Sequence, residues 1–345
     1  MPVLDYQTLV TLAKDVLVNI GCDDASAFQV ADNLVTANLK GHDSHGIGML
    51  PRYISAVQEG GLNFKAGAQI TKFDSPFISF DGQSGFGQIV GSQVIKEGIR
   101  HAKHYGVAIT SLANSHHLGR IGAFAEQAAA EGFVSIHFVN VYTKPIVVPW
   151  EGILPRFGTN PFCIGVPVKD NPPVILDFAT SIIASGKARV AFNKGEELPV
   201  GYAVDPEGNS IRDPRFVVQE PFGGLLPFGL HKGSGLSLIC SVLGAALTGG
   251  LTERTARPGK KAIINSMLSI LIDPKRLGGC DLFESEIPAL LEWIKQSHPE
   301  GKVLVPGEYE QLQFAQRSRE GIEIDDQTWL ELQSAKQAAL QIRNS

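Results

Sequence analysis

The chain predicts an α/β domain built on a partly parallel sheet, with a helical subdomain ahead of it. Three observations carry this. Apolar residues recur at spacings of three and four through residues 5–57. Between residues 68 and 178, short apolar runs of strand type alternate with helical ones. The 345 residues exceed what one ordinary core holds, so two domains are expected.

In order, Leu9, Val10, Leu12, Ala13, Val16, Leu17 and Ile20 make one helical face, which Gly21 can end. A second helix, Asp24 to Leu39, uses Phe28, Val30, Ala31, Leu34, Val35 and Leu39 as its apolar positions. A third runs from Ile47 to Gly60 with Pro51 near its start, where a missing N–H costs little. Residues 68–73 and 77–80 alternate and read as a hairpin. Helices at 85–102 and 120–130 then alternate with strands at 106–111 and 133–139, and 162–168 and 174–178 add two more strands. A helix spans 184–192, and a loop-rich stretch of functional character reaches His231. The small-residue helix 233–248, strand-like runs from Ala262 and at 267–272, and helices at 282–296, 309–321 and 327–342 close the chain. Residues 1–80 form the helical subdomain and hairpin, packing with the C-terminal helices of 300–345, and 81–299 the α/β domain.

The net charge of −5 offers no basic field for a polyanion, so nucleic acid is not an expected partner. Cys22, Cys163, Cys240 and Cys280 lie far apart, against a zinc knuckle or a disulfide framework and in keeping with a reducing compartment. The N-terminus lacks a signal-peptide pattern. The uncharged run 233–251 is too rich in glycine and serine for a membrane span. A cytoplasmic protein is expected.

Gly85-Phe-Gly87-Gln-Ile-Val-Gly91 follows a strand and opens a helix, as a dinucleotide fingerprint does. The next strand ends in Leu-Ala-Asn-Ser, without the acidic residue that binds ribose hydroxyls. The Rossmann reading is rejected, and these glycines are read as helix-start and packing residues.

Gly41-His42-Asp43-Ser44-His45-Gly46 joins two helices and can turn a histidine towards a pocket. A polar turn capped by Asp43 or Ser44 is the competing reading. Asn114-Ser115-His116-His117-Leu118-Gly119 lies between a strand and a helix, where open sheets place ligands. The four histidines lack metal-ligand spacing and a carboxylate cluster, so no metal is expected. His101 and His104 belong to a helix face. Gly158-Thr159-Asn160, Asp177-Phe178-Ala179 and His231-Lys232-Gly233 add hydroxyl, carboxylate and cationic groups, the last at a helix start suited to a phosphate.

HDSHG, NSHHLGR, FGTNPF, LDFATS with Gly186-Lys187, HKGSGLSL and Val305-Pro-Gly-Glu308 occur in one order across the whole length. Together they resemble the malate/L-lactate dehydrogenase family that lacks a Rossmann domain, nearest its 2-hydroxycarboxylate dehydrogenase branch. The resemblance implies a mixed-sheet fold that binds NAD or NADP in the α/β domain, a homodimer, and hydride transfer between cofactor and C2 of a 2-oxo or 2-hydroxy acid. It places Ser44, His45 and His117 at the catalytic centre, with His45 first choice as proton donor and the two histidine roles exchangeable. Thr159 matches a substrate contact. His117, Leu118, Gly119, Arg120, Ile121, Asp177, Phe178, Ala179, His231, Lys232, Gly233, Pro306, Gly307 and Glu308 match cofactor contacts.

Two departures stand out. Met49 occupies a position that many relatives give to a carboxylate-binding arginine, so Arg52, Arg120 or Arg156 is expected to replace it. A more apolar pocket tolerant of aromatic 2-oxo acids is also expected. Lys187 replaces the aspartate of relatives that reduce cyclic imines, which weakens the imine-reductase alternative. Diketo-acid reduction, a catalytically silent nucleotide-binding protein and a metal-dependent hydrolase are the other readings weighed.

Overall fold

The computed structural model describes residues 1–255 and 263–343; the expected strand start at Ala262 lies outside them. Helices α1 (Tyr6–Asn19) and α2 (Asp24–Leu39) begin at aspartates. Asp5 accepts the Thr8 N–H at 2.8 Å and Asp23 that of Ser26 at 2.9 Å, satisfying donors a helix start leaves open. Two 3-10 turns, Asp43–His45 and Ile47–Met49, precede α3 (Leu50–Gln58). The expected helix from Ile47 therefore starts later, with Pro51 in its first turn. Leu9, Leu17, Leu34, Leu50 and Ile54 form a core that Leu332, Ala335 and Ala339 of the C-terminal helix (Asp326–Arg343) complete.

The main sheet has seven strands. They are a hairpin at Gln69–Asp74 and Phe77–Asp81, then Val107–His116, Val134–Tyr142, Phe162–Val168, Asn171–Phe178 and Ile264–Ile272. We number them β1 to β7 in chain order, giving a spatial order β1-β2-β3-β7-β4-β5-β6. Only β2 and β3 pair in parallel, and α4 (Gly87–Tyr105) makes the crossover between them. Every other neighbour is antiparallel. Helix α5 (Gly122–Ala130) packs with α4 over one face, around Val94, Ile95, Leu112, Phe124 and Leu271.

Strand β3 runs to His116, past the expected end at Ser111. Ser115 and His116 at its end are polar yet buried: Ser115 Oγ donates to the His116 carbonyl at 2.6 Å, Gly82 N–H bonds the Ala113 carbonyl, and just past the strand Leu118 N–H bonds Asn265 Oδ1 at 2.8 Å. A β-bulge interrupts pairing with β7 between Asn265 and Met267, and Asn114 there has φ +57°.

The expected loop between 193 and 231 holds a small three-stranded sheet of two-residue strands, too short to show periodicity. It packs on α6 (Ser185–Lys194) through Ala188, Leu198, Ala203 and Leu225. Among the described residues, no helix is long and apolar enough to cross a membrane.

Candidate active site

The turn after α2 is held from three sides. Asp43 pairs with Arg317, at 2.7 Å in the shorter contact, and accepts from the Asn38 amide at 2.7 Å. Asn38 Oδ1 accepts the Ile47 N–H at 2.7 Å. A Cβ at Gly46 would stand 2.2 Å from that same Oδ1, so only glycine lets the turn close on Asn38. His42 Nε2 meets Glu310 at 3.0 Å. His42, Asp43 and Gly46 thus shape the turn and present Ser44 and His45. Ser44 Oγ lies 3.0 Å from His45 Nδ1. Gly186, in the first turn of α6, lies against Ser44, where a Cβ would fall 2.3 Å from Ser44 Cβ.

The second histidine arrives from the end of β3. His117 stacks on His45, with ring centroids 5.6 Å apart and planes 12° apart. Its Nδ1 is 2.8 Å from the hydroxyl of Tyr53, a fully buried residue of α3, and Gln88 Nε2 donates to that hydroxyl at 2.8 Å. His116 is buried edge-on to the Tyr53 ring. Gly87 sits where a Cβ would be 2.3 Å from the His117 carbonyl, so the glycines of the rejected fingerprint serve close packing beneath this histidine.

Burial, with the neighbouring charges of His42 and Arg120, pushes His45 down to about 4. His117 is held well below the ordinary histidine range by burial, then by His45, His116 and Arg52. Arg52, beside Tyr53 on α3, is itself brought down to about 10 by partial burial and by Arg189, one turn beyond Gly186 on α6. Among the described residues, neither arginine has a carboxylate within ion-pairing distance.

Other predicted site residues fall into two linked groups. Leu118 to Ile121 lead into α5, whose Gly122 N–H bonds Asp177 Oδ2 at 2.6 Å. Beside Asp177, Ile175 N–H bonds the Pro306 carbonyl at 3.1 Å. Gly307 (φ +99°) lets this loop lie on β6, since a Cβ there would meet the Ile175 nitrogen at 3.2 Å. A cavity of 410 Å³ opens between Lys40, Pro173, Ile175, Gly307 and Glu310. In the second group, Thr180 N–H bonds the Thr159 carbonyl, and Phe228 joins Thr180 to Gly233 through backbone bonds. Phe178 packs edge-on against Phe228 at 5.2 Å, while His231 and Lys232 are exposed.

Three residues of the expected site already have protein neighbours. Met49 is 4% exposed in the helical core, which removes the basis for an apolar substrate wall at that residue. Arg120 is buried against Glu126 at 2.6 Å, a carboxylate it shares with Lys40. Glu308 is engaged by Lys295 and by the Val305 N–H. Among the described residues, no three His, Cys, Asp or Glu side chains gather as a metal site would require. Sequence reasoning missed Tyr53, Gln88, Asn38 and Arg189. Tyr53 lies in an apolar stripe where a core aromatic looks the same, and Gln88 lies inside the rejected glycine run.

A mixed sheet closing on stacked imidazoles, without a dinucleotide fingerprint, defines a class apart from Rossmann oxidoreductases. The family profile described as malate/L-lactate dehydrogenase matches residues 4–333, and the chain belongs to that family. Hydroxycarboxylate dehydrogenase B of Escherichia coli is 43% identical over 329 residues, covering 94% of this chain and 91% of its own. L-lactate dehydrogenase of Cupriavidus necator is 36% identical, covering 95% of each. The solved sulfolactate dehydrogenase of Methanocaldococcus jannaschii superimposes with a TM-score of 0.86 at 33% identity, over 99% of each chain.

Proposed function

We propose that the protein is a nicotinamide-dependent dehydrogenase of 2-hydroxycarboxylic acids, acting reversibly at C2. The observation that carries this reading is the stacked His45–His117 pair beside Arg52, which forms no ion pair among the described residues and feels Glu331 only at longer range. The relatives named above, which act on hydroxy acids, support the same class. The sequence positions Leu118–Ile121, Asp177–Ala179 and Pro306–Glu308 would hold the cofactor. The Gly307 cradle and the adjoining cavity fit such a group, because a side chain at 307 would crowd the β6 backbone.

Bound nicotinamide supplies the hydride in reduction and accepts it in oxidation. The protein's own side chains do the rest. Arg52 binds the substrate carboxylate, with Arg189 adding positive field. As the carbonyl oxygen gains alkoxide character, His117 donates a hydrogen bond to it and His45 delivers the proton. Ser44 orients the His45 ring through the 3.0 Å contact at Nδ1. A bound carboxylate would raise the depressed His45 towards neutrality, where a general acid works best. Exposed Lys187 supplies no carboxylate to Ser44 and His45, which disfavours imine reduction.

Exposed apolar residues on the helix Cys280–Lys295, including Trp293 at 71%, and on His231–Ser241 support a homodimer. The test of function is a panel of 2-oxo acids, cyclic imines and diketo acids, each mixed with NADH or NADPH while reduced-cofactor absorbance is followed. Turnover is expected with 2-oxo acids. Its absence with every 2-oxo acid would refute the reading.

A further inference from the structure

We propose that Tyr53, oriented by Gln88, fixes the tautomer of His117, so that His117 only donates a hydrogen bond and His45 alone carries the proton. The proposal rests on the dehydrogenase reading for its consequence, but its structural content stands apart from it.

A tyrosine hydroxyl has one proton to give. Gln88 Nε2 can only donate, and it reaches the Tyr53 oxygen at 2.8 Å. The single Tyr53 proton therefore points at the other partner, His117 Nδ1, also at 2.8 Å. The Gln88 amide is turned with its Nε2 towards Tyr53. Its Oε1, on the other side of the amide, is buried and accepts no hydrogen bond among the described residues. The Gln88 backbone is held in turn, its carbonyl accepting from Gln29 at 2.9 Å.

With Nδ1 accepting, neutral His117 carries its hydrogen on Nε2. A second proton on the ring would have to sit on Nδ1, facing the Tyr53 proton. The groups around the ring add to this: His45 from the turn, His116 from β3 and Arg52 from α3 all oppose a charge on His117. His117 is then an electrophile that keeps its Nε2–H throughout. In reduction, hydride adds to C2, the carbonyl π pair moves to oxygen, and that oxygen takes a proton from the His45 imidazolium, leaving neutral imidazole. In oxidation the proton returns to His45. Tyr53 acts through His117 and is a positioning residue.

Two measurements test this. In protein labelled with ¹⁵N-histidine, the resonances absent from H117N belong to His117. They should show Nδ1 unprotonated and Nε2 protonated between about pH 6 and 8. A protonated Nδ1 in the wild-type protein overturns the proposal whatever the enzyme's substrate proves to be. Y53F should lose about 10²-fold in kcat with KM little changed. It should also add an ionisation to the acidic limb of the kcat profile, as His117 becomes free to protonate. An unchanged pH profile and unchanged ¹⁵N spectrum in Y53F overturn it as well. Should Y53F fold poorly, Gln88→Leu frees the Tyr53 proton and should give a mixed His117 tautomer; a single tautomer there counts against the relay. Turnover of no 2-oxo acid, with the expected tautomer present, defeats only the dehydrogenase reading.

Discussion

Gly186→Ala tests whether α6 holds the active-site turn by direct contact. The added methyl would stand 2.3 Å from Ser44 Cβ and 3.0 Å from Ser44 Cα. Carbon atoms settle at about 3.5–4.0 Å, so Ser44 or α6 must yield by roughly 1 Å. Overpacking of that kind costs about 1–3 kcal/mol. The displacement falls on the residue whose Oγ is 3.0 Å from His45 Nδ1. A misplacement of about 1 Å at a reacting group is worth on the order of 10² in rate. The assay is kcat/KM for a 2-oxo acid alongside urea unfolding, with Gly278→Ala as control because nothing lies within 4 Å of a Cβ there. The expected result is a roughly 100-fold loss in kcat/KM and a stability loss of about 1–3 kcal/mol in G186A, with neither in G278A. Full activity and stability in G186A would refute the argument that this contact positions Ser44.

Further outcomes follow from other groups. Arg52→Gln should raise KM for 2-oxo acids by about 10–100-fold, the worth of one charge-assisted hydrogen bond, with Arg52→Lys intermediate; an unchanged KM removes Arg52 from the carboxylate site. Glu126→Gln leaves Lys40 and buried Arg120 short of their shared carboxylate and should cost about 3–5 kcal/mol in urea unfolding. His45 takes its proton near 4 when folded and His137 near 3, against 6.5 for each ring when unfolded. The unfolded chain therefore binds more protons between these values. Stability is full above about pH 6.5 and falls as the pH drops towards 4, by at most about 1.4 kcal/mol per pH unit for each ring. Urea midpoints from pH 7 to 5 should fall, and fall less steeply in H45N; a flat wild-type profile contradicts the depressed values.

The helical part of the fold was legible because burial on one face of a helix writes a period into the chain. Residues 5–39 show it, and their helices stand within a few residues of the expected bounds. Strand β3 was cut short because its last turns are polar, and their partners, Gly82 and Asn265, lie far away in sequence. The sheet's strand order was not readable, since β7 comes from residues 264–272 and inserts between β3 and β4. At the site, HDSHG announced itself by composition. Tyr53 did not, because a core aromatic and a hydrogen-bonded one occupy the same helical phase, and only the position of His117 separates them.

The bulge near Asn114 gives the site a parity. Adjacent side chains of a strand leave opposite faces; His116 is the last residue of β3 and His117 follows directly after it. One imidazole is packed edge-on beneath Tyr53 and the other stacks on His45. The extra residue that β3 carries opposite Ser266 shifts the phase of everything between it and the strand end. A strand of the same length without the bulge, with β7 unchanged, would pair Asn114 with Asn265 and Ser115 with Ile264, reversing the faces that Ser115 and His116 take. The face that His116 takes beneath Tyr53 is thus set by an irregularity two residues earlier in the strand.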